Sequence, residues 1–161
     1  MKLNKLKSAL VTGGSGLIGS AICETLAAEG LHVIVHAYHN PDRSIAVVEK
    51  IQSRGQSAET VCFDVGDCKA TSNGLNKILE SGPIQVVVNN AGIHDDATMA
   101  GMSFEQWNRV IQTTLNGFFN VTNPLLLPMI RTRWGRIVSI SSISGVAGNR
   151  GQTNYAAAKS G

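Results

Sequence analysis

The stretch Ser8-Ala-Leu-Val-Thr12-Gly13-Gly14-Ser15-Gly16-Leu17-Ile18-Gly19 decides the fold. Ser8 to Thr12 is a short apolar run closed by glycines, which reads as a buried strand. Leu17, Ile18, Ala21, Ile22 and Leu26 then recur on one helical face, and Gly30 follows as a stop signal. Glycines at 13, 16 and 19 let the turn between them tighten. They also let bare backbone approach a pyrophosphate at the helix N-terminus, so the segment reads as the opening of a dinucleotide-binding βα unit. The plainer alternative is a tight strand–helix turn that holds nothing.

The same alternation continues along the chain. Leu31 to Val35 reads as a second strand, and Asn40-Pro41 as a cap with proline at the first helical position. That helix runs to about Arg54, before Gly55. Ala58 to Phe63 is a third strand, followed by a polar helix from about Asp67 to Glu80. Ile84 to Val88 is a fourth strand, nearly all β-branched. Ser103-Phe-Glu-Gln106 fits a capping box. Trp107, Val110, Ile111, Leu115, Phe118 and Val121 mark one face of the long helix that follows, and Pro124 and Pro128 are expected to kink its last turns. Arg136 to Ser141 is the fifth strand, and a helix starts near Thr153. Continuous apolar strands separated by helices predict an α/β fold: a Rossmann-like, doubly wound parallel sheet with helices on both faces, one domain over residues 1–161. Ligands on such a sheet sit at the carboxyl ends of the strands.

Composition narrows the class. The chain has 161 residues, 43% apolar and 16% charged, which excludes a disordered tail. A net charge of +3, scattered except for Lys2, Lys5, Lys7 and Arg131, Arg133, Arg136, argues against nucleic-acid binding. The first residues have no apolar stretch after their charges, so no signal peptide is read there. Pro124 to Ile130 is too short and proline-broken to enter a bilayer. Cys23, Cys62 and Cys68 are odd in number and lack ligand spacing, as thiols of a reducing, cytoplasmic compartment would. Neither His36 and His39 with Cys62 nor His94 with Asp95 and Asp96 makes a convincing ligand set, so no metal is expected.

The residues just after each strand are the candidates for function. After the second come His36, Ala37, Tyr38, His39 and Asn40, with no acid before Asp42 to accept from a ribose hydroxyl. His39 and Arg43 face a 2′-phosphate, which favours NADP(H) over NAD(H), or else both are solvated. Asp64, after the third strand, accepts from an adenine amino group or caps the next helix. In Asn89-Asn90-Ala91-Gly92 the amides can bridge backbone and ligand, and the small residues leave room for a flat ring. Ser141-Ser142 closes the fifth strand, and Tyr155 and Lys159 lie four apart on one helical face. An ammonium beside a phenol favours the phenolate. A serine hydroxyl near that pair can hold a carbonyl oxygen, so with a nicotinamide the set makes a hydride-transfer site. Without those neighbours the pair would be a surface tyrosine and a solvated lysine.

The glycine segment, Asn89-Asn90-Ala91-Gly92, Ser142 thirteen before Tyr155, and Tyr155-Ala-Ala-Ala-Lys159 occur in the order of the short-chain dehydrogenase/reductase family, which the chain resembles along its length. The stretch from Gly148 to Gly161 is most similar to the 3-oxoacyl-[acyl-carrier-protein] reductases and acetoacetyl-CoA reductases. That resemblance implies reduction of a 3-oxoacyl thioester, on acyl carrier protein or CoA, with NADP(H). Tyr155 would protonate the carbonyl oxygen, Lys159 would hold the nicotinamide ribose, and Ser142 would bond the substrate carbonyl. Gly13, Ser15, Ile18 and Gly19 would line the pyrophosphate path, Asp64 and Val65 would meet the adenine, and Asn90 the adjacent ribose region. Arg133, with Arg131 and Arg136, would dock an acidic carrier or be a solvated basic turn. A full-length form would be a homo-oligomer, dimer or tetramer.

The chain departs from the family pattern in three places. Glycine stands at Gly16 rather than at Leu17, the spacing of the family's extended branch; Gly16 still supplies the open turn. Thr114 replaces the asparagine that usually links the lysine to water, and its hydroxyl is expected to join an altered relay; Asn116 lies on another helical face. Family members run to roughly 250 residues, so the chain is expected to lack the last two strands and the segment over the nicotinamide. Readings that compete with the thioester reductase are a reductase of another carbonyl and a truncated, non-catalytic nucleotide-binding chain.

Overall fold

The valine- and isoleucine-rich runs at residues 9–11, 33–35 and 86–88 have no polar face, and they form the inner strands, buried on both sides, while Ile137 and Val138 of the edge run are exposed. A computed structural model describes residues 7–161; Lys2 and Lys5 of the first basic cluster lie outside them. Strands β1 (Ser8–Val11), β2 (His32–Ala37), β3 (Ala58–Cys62), β4 (Ile84–Asn89) and β5 (Arg136–Ser139) make one parallel sheet in the order β3-β2-β1-β4-β5. Ala9 and Val11 of β1 point to a core shared with Cys23 and Ala27 of α1 (Leu17–Ala28) and Val48 and Ile51 of α2 (Asp42–Gln52). Leu10, between them, points the other way. It packs in a core with Leu75 and Ile78 of α3 (Cys68–Glu80) and with Val121, Leu125 and Met129 farther along. The doubly wound parallel sheet is therefore as expected. Its strand order reverses between β1 and β4, where such folds open a crevice.

Helix ends follow their side chains. Asp67 Oδ1 accepts the N–H groups of Lys69 at 2.8 Å and Ala70 at 2.9 Å, which starts α3. Ser103 and Gln106 close the expected capping box on α4 (Phe104–Ile111). Asn40 Oδ1 accepts the Asp42 N–H at 2.8 Å ahead of α2.

Several elements differ from the reading of the sequence, β5 among them, which ends at Ser139 and not at Ser141. The long helix is not continuous: α4 passes through one π-helical turn, Gln112–Asn116, into α5 (Gly117–Arg131). Inserting a wider turn leaves the apolar stripe almost unchanged, so periodicity does not report it. Pro124 and Pro128 lie inside the last turns of α5, where the reading places them, and Val121, Leu125 and Met129 anchor that helix in the core. A short helix, α6 (Ile143–Ala147), precedes α7 (Thr153–Ser160). β2 extends two residues past Val35, which makes His36 a strand residue.

His36 is 2% exposed. Its Nδ1 accepts the Gly13 N–H at 3.1 Å, so the ring proton is on Nε2, which donates to the Phe63 carbonyl at 2.9 Å. Burial pushes its pKa down to about 4. Burial also pushes the Cys23 thiol up to about 12, an inert core group, whereas Cys62 and Cys68 are exposed. Among the described residues no helix is long and apolar enough to cross a membrane.

Leu10 is fully buried at the centre of the sheet. Leu10→Ala is expected to cost about 3 kcal/mol, read as a lower urea midpoint at unchanged slope. His36 adds a pH dependence. Its folded pKa lies below the unfolded value near 6.5, so the unfolded chain takes the proton first as pH falls. Its contribution is complete above about pH 6.5 and is lost toward pH 4, up to roughly 3 kcal/mol. Urea midpoints at pH 7 and pH 4.5 should fall further for the parent chain than for His36→Asn.

Candidate active site

Thr12, one residue past β1, faces the end of β4. Its Oγ1 accepts the N–H groups of Asn90 and Ala91, each at 3.0 Å, and donates to the Val88 carbonyl at 3.3 Å. Asn90 answers from the other side: its Nδ2 donates to the carbonyls of Thr12 at 2.9 Å and Gly13 at 3.2 Å. Gly16 N–H also donates to the Gly13 carbonyl, at 3.1 Å. Gly13 has φ +63°, a left-handed conformation that glycine adopts without strain. A Cβ on Gly19 would collide with the Gly13 carbonyl, so the turn and the first turn of α1 touch backbone to backbone.

Above this turn is an open cleft of about 600 Å³. Gly13, Ser15, Gly16, Leu17, Ile18 and Gly19 form one wall; Asp64, Val65, Asn90, Ala91 and Gly92 form the other. Leu17 is 93% exposed, and Gly16 caps α1 without a side-chain bond, so the bare helix N-terminus faces solvent. Its first N–H groups have no intrahelical partner, and the dipole there favours an anion. Tyr38, quoted after the second strand without a role, and Arg109, which the sequence reading did not name, also line the cleft. His39 does not line it; its ring lies against that of Tyr38, tilted by 36° with centroids 3.5 Å apart. Of the two roles open to Asp64, the helix cap falls to Asp67, while Asp64 Oδ1 accepts the Gly66 N–H at 2.8 Å.

A smaller hollow adjoins the cleft, lined by Thr114 and Lys159 among others. Lys159 Nζ donates to the Ile140 carbonyl at 2.7 Å and lies 5.9 Å from the centroid of the Tyr155 ring. Burial holds the Lys159 pKa below the usual lysine value. Gly92 measures how close the groups come: a Cβ there would lie 3.3 Å from Lys159 Nζ and 3.5 Å from Thr114 Oγ1. The Thr114 hydroxyl, in the π-helical turn, is buried without a hydrogen-bond partner. Asn116 bonds Gln112 on the exposed side. Ser142 Oγ accepts the Ser144 N–H at 3.2 Å and so starts α6, which packs on α7.

Position along α7 comes from residues that the sequence reading passed over. Asn154 is fully buried; its Nδ2 donates to the carbonyls of Asp95 at 2.9 Å and Gln106 at 3.2 Å, and its Oδ1 accepts the Tyr155 N–H at 2.8 Å. Gln152 Oε1 accepts from Ser144 and Asn149, each at 2.9 Å, and its Nε2 donates to Asp96 at 3.0 Å. The only signal for these was an amide one or three residues before Tyr155. Cleft and hollow fit a dinucleotide: a bare helix N-terminus where a pyrophosphate is held, and an orphaned hydroxyl beside a lysine where the other end would arrive.

Residues 7–161 match the family described as short chain dehydrogenase. The chain is 42% identical over 154 residues to a 3-oxoacyl-[acyl-carrier-protein] reductase of Aggregatibacter actinomycetemcomitans, covering 94% of this chain and 64% of that protein. It is 41% identical over 156 residues to Nodulation protein G of Azospirillum brasilense, covering 96% and 63%. It is 43% identical over 154 residues to an acetoacetyl-CoA reductase of Rhizobium meliloti, covering 95% and 62%. The chain thus spans under two thirds of the length of these curated relatives. With a match that runs from the first strand through Lys159, the chain belongs to the short-chain dehydrogenase/reductase family.

Proposed function

We propose that residues 1–161 are the dinucleotide-binding domain of an NADPH-dependent reductase that converts a 3-oxoacyl thioester, on acyl carrier protein or CoA, to the 3-hydroxyacyl thioester. The observation that carries this is the gathering of Lys159, the Tyr155 ring and the orphaned Thr114 hydroxyl at the hollow that adjoins the cleft. The names of the relatives support the substrate class.

The nicotinamide, when bound, supplies the hydride. Tyr155, whose phenol bonds no other described residue, donates its proton to the carbonyl oxygen. The Lys159 ammonium stabilises the phenolate that remains and is fixed by the Ile140 carbonyl. Ser142 spends a lone pair on the Ser144 N–H, which leaves its proton for the substrate oxygen. Thr114, whose buried hydroxyl bonds nothing and lies on the same side of Gly92 as Lys159 Nζ, is the group offered to a proton relay. Gly13 to Gly19 and the start of α1 hold the pyrophosphate, Asp64 and Val65 the adenine side, and Asn90, Ala91 and Gly92 the ribose and ring side. NADP(H) is favoured because no acid precedes Asp42 after β2, while Tyr38, His39 and the exposed Arg43 stand there. Arg133, exposed between α5 and β5, is offered to an acidic carrier, and the exposed Phe119, Leu127 and Ile130 of α5 to a second copy.

The test is oxidation of NADPH by acetoacetyl-CoA, with cofactor binding read separately by fluorescence. The parent protein should bind NADPH at least about tenfold tighter than NADH, a difference of roughly 1.4 kcal/mol. Tyr155→Phe should lower kcat by a factor of about 100 to 10,000 with the NADPH Kd within about twofold. A Tyr155→Phe enzyme with unchanged kcat would remove Tyr155 as the acid. Thr114→Val keeps the shape and deletes the hydroxyl; kcat should fall about tenfold, the worth of one hydrogen bond near 1.4 kcal/mol, with Kd unchanged.

A further inference from the structure

An imidazole at the end of an apolar strand has no part in the chemistry above, yet His36 is 2% exposed and forms part of the cleft wall. Both ring nitrogens are used. Nδ1 takes the Gly13 N–H and Nε2 gives its proton to the Phe63 carbonyl, with the ring 4.4 Å from that of Phe63. The Gly13 carbonyl is already held by Gly16 N–H and Asn90 Nδ2. Gly13 is thus fixed at both ends of its backbone, and His36 supplies the only bond to its N–H among the described residues. Without that acceptor the N–H would be a half-buried orphan on a glycine, the residue with the widest choice of backbone conformation.

We propose that His36 is a positioning residue for cofactor binding: the neutral ring, protonated on Nε2, turns the Gly13 N–H inward and so holds the glycine turn in the shape that presents the N-terminus of α1 to a pyrophosphate. The proposal rests on the dinucleotide reading of the cleft. The charged group facing the ring is Asp64, and its field, with the Phe63 carbonyl, opposes the burial that keeps the imidazole neutral.

The two bonds can be separated by substitution. An asparagine oxygen reaches the place of Nδ1, and a glutamine nitrogen that of Nε2. His36→Asn therefore keeps the acceptor for Gly13 and loses the bond to Phe63, while His36→Gln does the reverse. His36→Val loses both and suits an apolar strand. Kd values for NADPH and for NADH, which carry the same pyrophosphate, are measured by fluorescence, with a thermal melt of each variant. Expected are Kd values raised tenfold or more in His36→Gln and His36→Val, and within about threefold of the parent in His36→Asn, although all three lower the melting temperature. A merely structural role would weaken binding in step with the melting temperature, with no preference for Asn. Equal Kd values in the Asn and Gln variants, or an unchanged Kd in His36→Val, would overturn the proposal. Absence of binding of either cofactor by the parent protein would instead overturn the reading of the cleft, and this proposal with it.

Discussion

The hydroxyl of Thr12 accepts two backbone N–H groups from the neighbouring strand end, and the functional edge of the sheet depends on that bond pair. β1 and β4 are paired in parallel up to Val11 and Val88. Beyond that register the chains part, one into the glycine turn and one toward α4. At the parting the backbone groups of Asn90 and Ala91 have no strand to pair with, and each would cost about 1–3 kcal/mol if left buried and unmet. Thr12 meets both, and Asn90 returns two bonds to the carbonyls of Thr12 and Gly13. The crevice therefore opens at a defined width. A valine at position 12 would have the shape of threonine and none of the bonds made by its hydroxyl.

Much of this was written in the sequence, for a physical reason. A strand buried on both faces has to be apolar throughout, and glycine is the residue that admits backbone to within contact distance of backbone. Those two demands leave visible marks at Ser8 to Gly19 and Ile84 to Gly92. The helix ends were equally visible at Asp67 and Ser103, because a cap acts on its own neighbours in the chain. What stayed hidden is held by bonds between residues distant in the chain. The amides of Asn89 and Asn90 are read as bridging backbone and ligand, but nothing in the sequence says which backbone: Asn90 Nδ2 bonds the turn, 77 and 78 residues away. His36 was read as lying after the strand; it lies in it, bonded across to Gly13 and Phe63. That shift of strand end is also why Tyr38 lines the cleft and His39 does not. The π-helical turn at Thr114 was invisible because the apolar positions around it, Val110 and Val121, still reach the protein interior.

The two halves of the site are held by different forces, and this has a consequence for how they move. The cofactor half sits directly on the core. Val11, Val35 and Val88 beneath it are at most 3% exposed, and the glycine turn is bonded to β2 and β4 at once. The half that carries Ser142, Tyr155 and Lys159 rests on α6 and α7, which bury only Ser144, Asn154 and Ala158. Its support is polar: Asn154 on the carbonyls of Asp95 and Gln106, Gln152 on Asp96, Ser141 on the Lys159 carbonyl, and Lys159 on that of Ile140. A net hydrogen bond contributes about 1 kcal/mol, less than the 1.5–3 kcal/mol of a buried aliphatic side chain. Segments held in this way open at lower free energy than the core they lean on. The glycine turn is thus kept in shape while Tyr155 can move against it. The Asp95 and Asp96 loop, which clamps α7 from the β4 side, is where that movement is restrained.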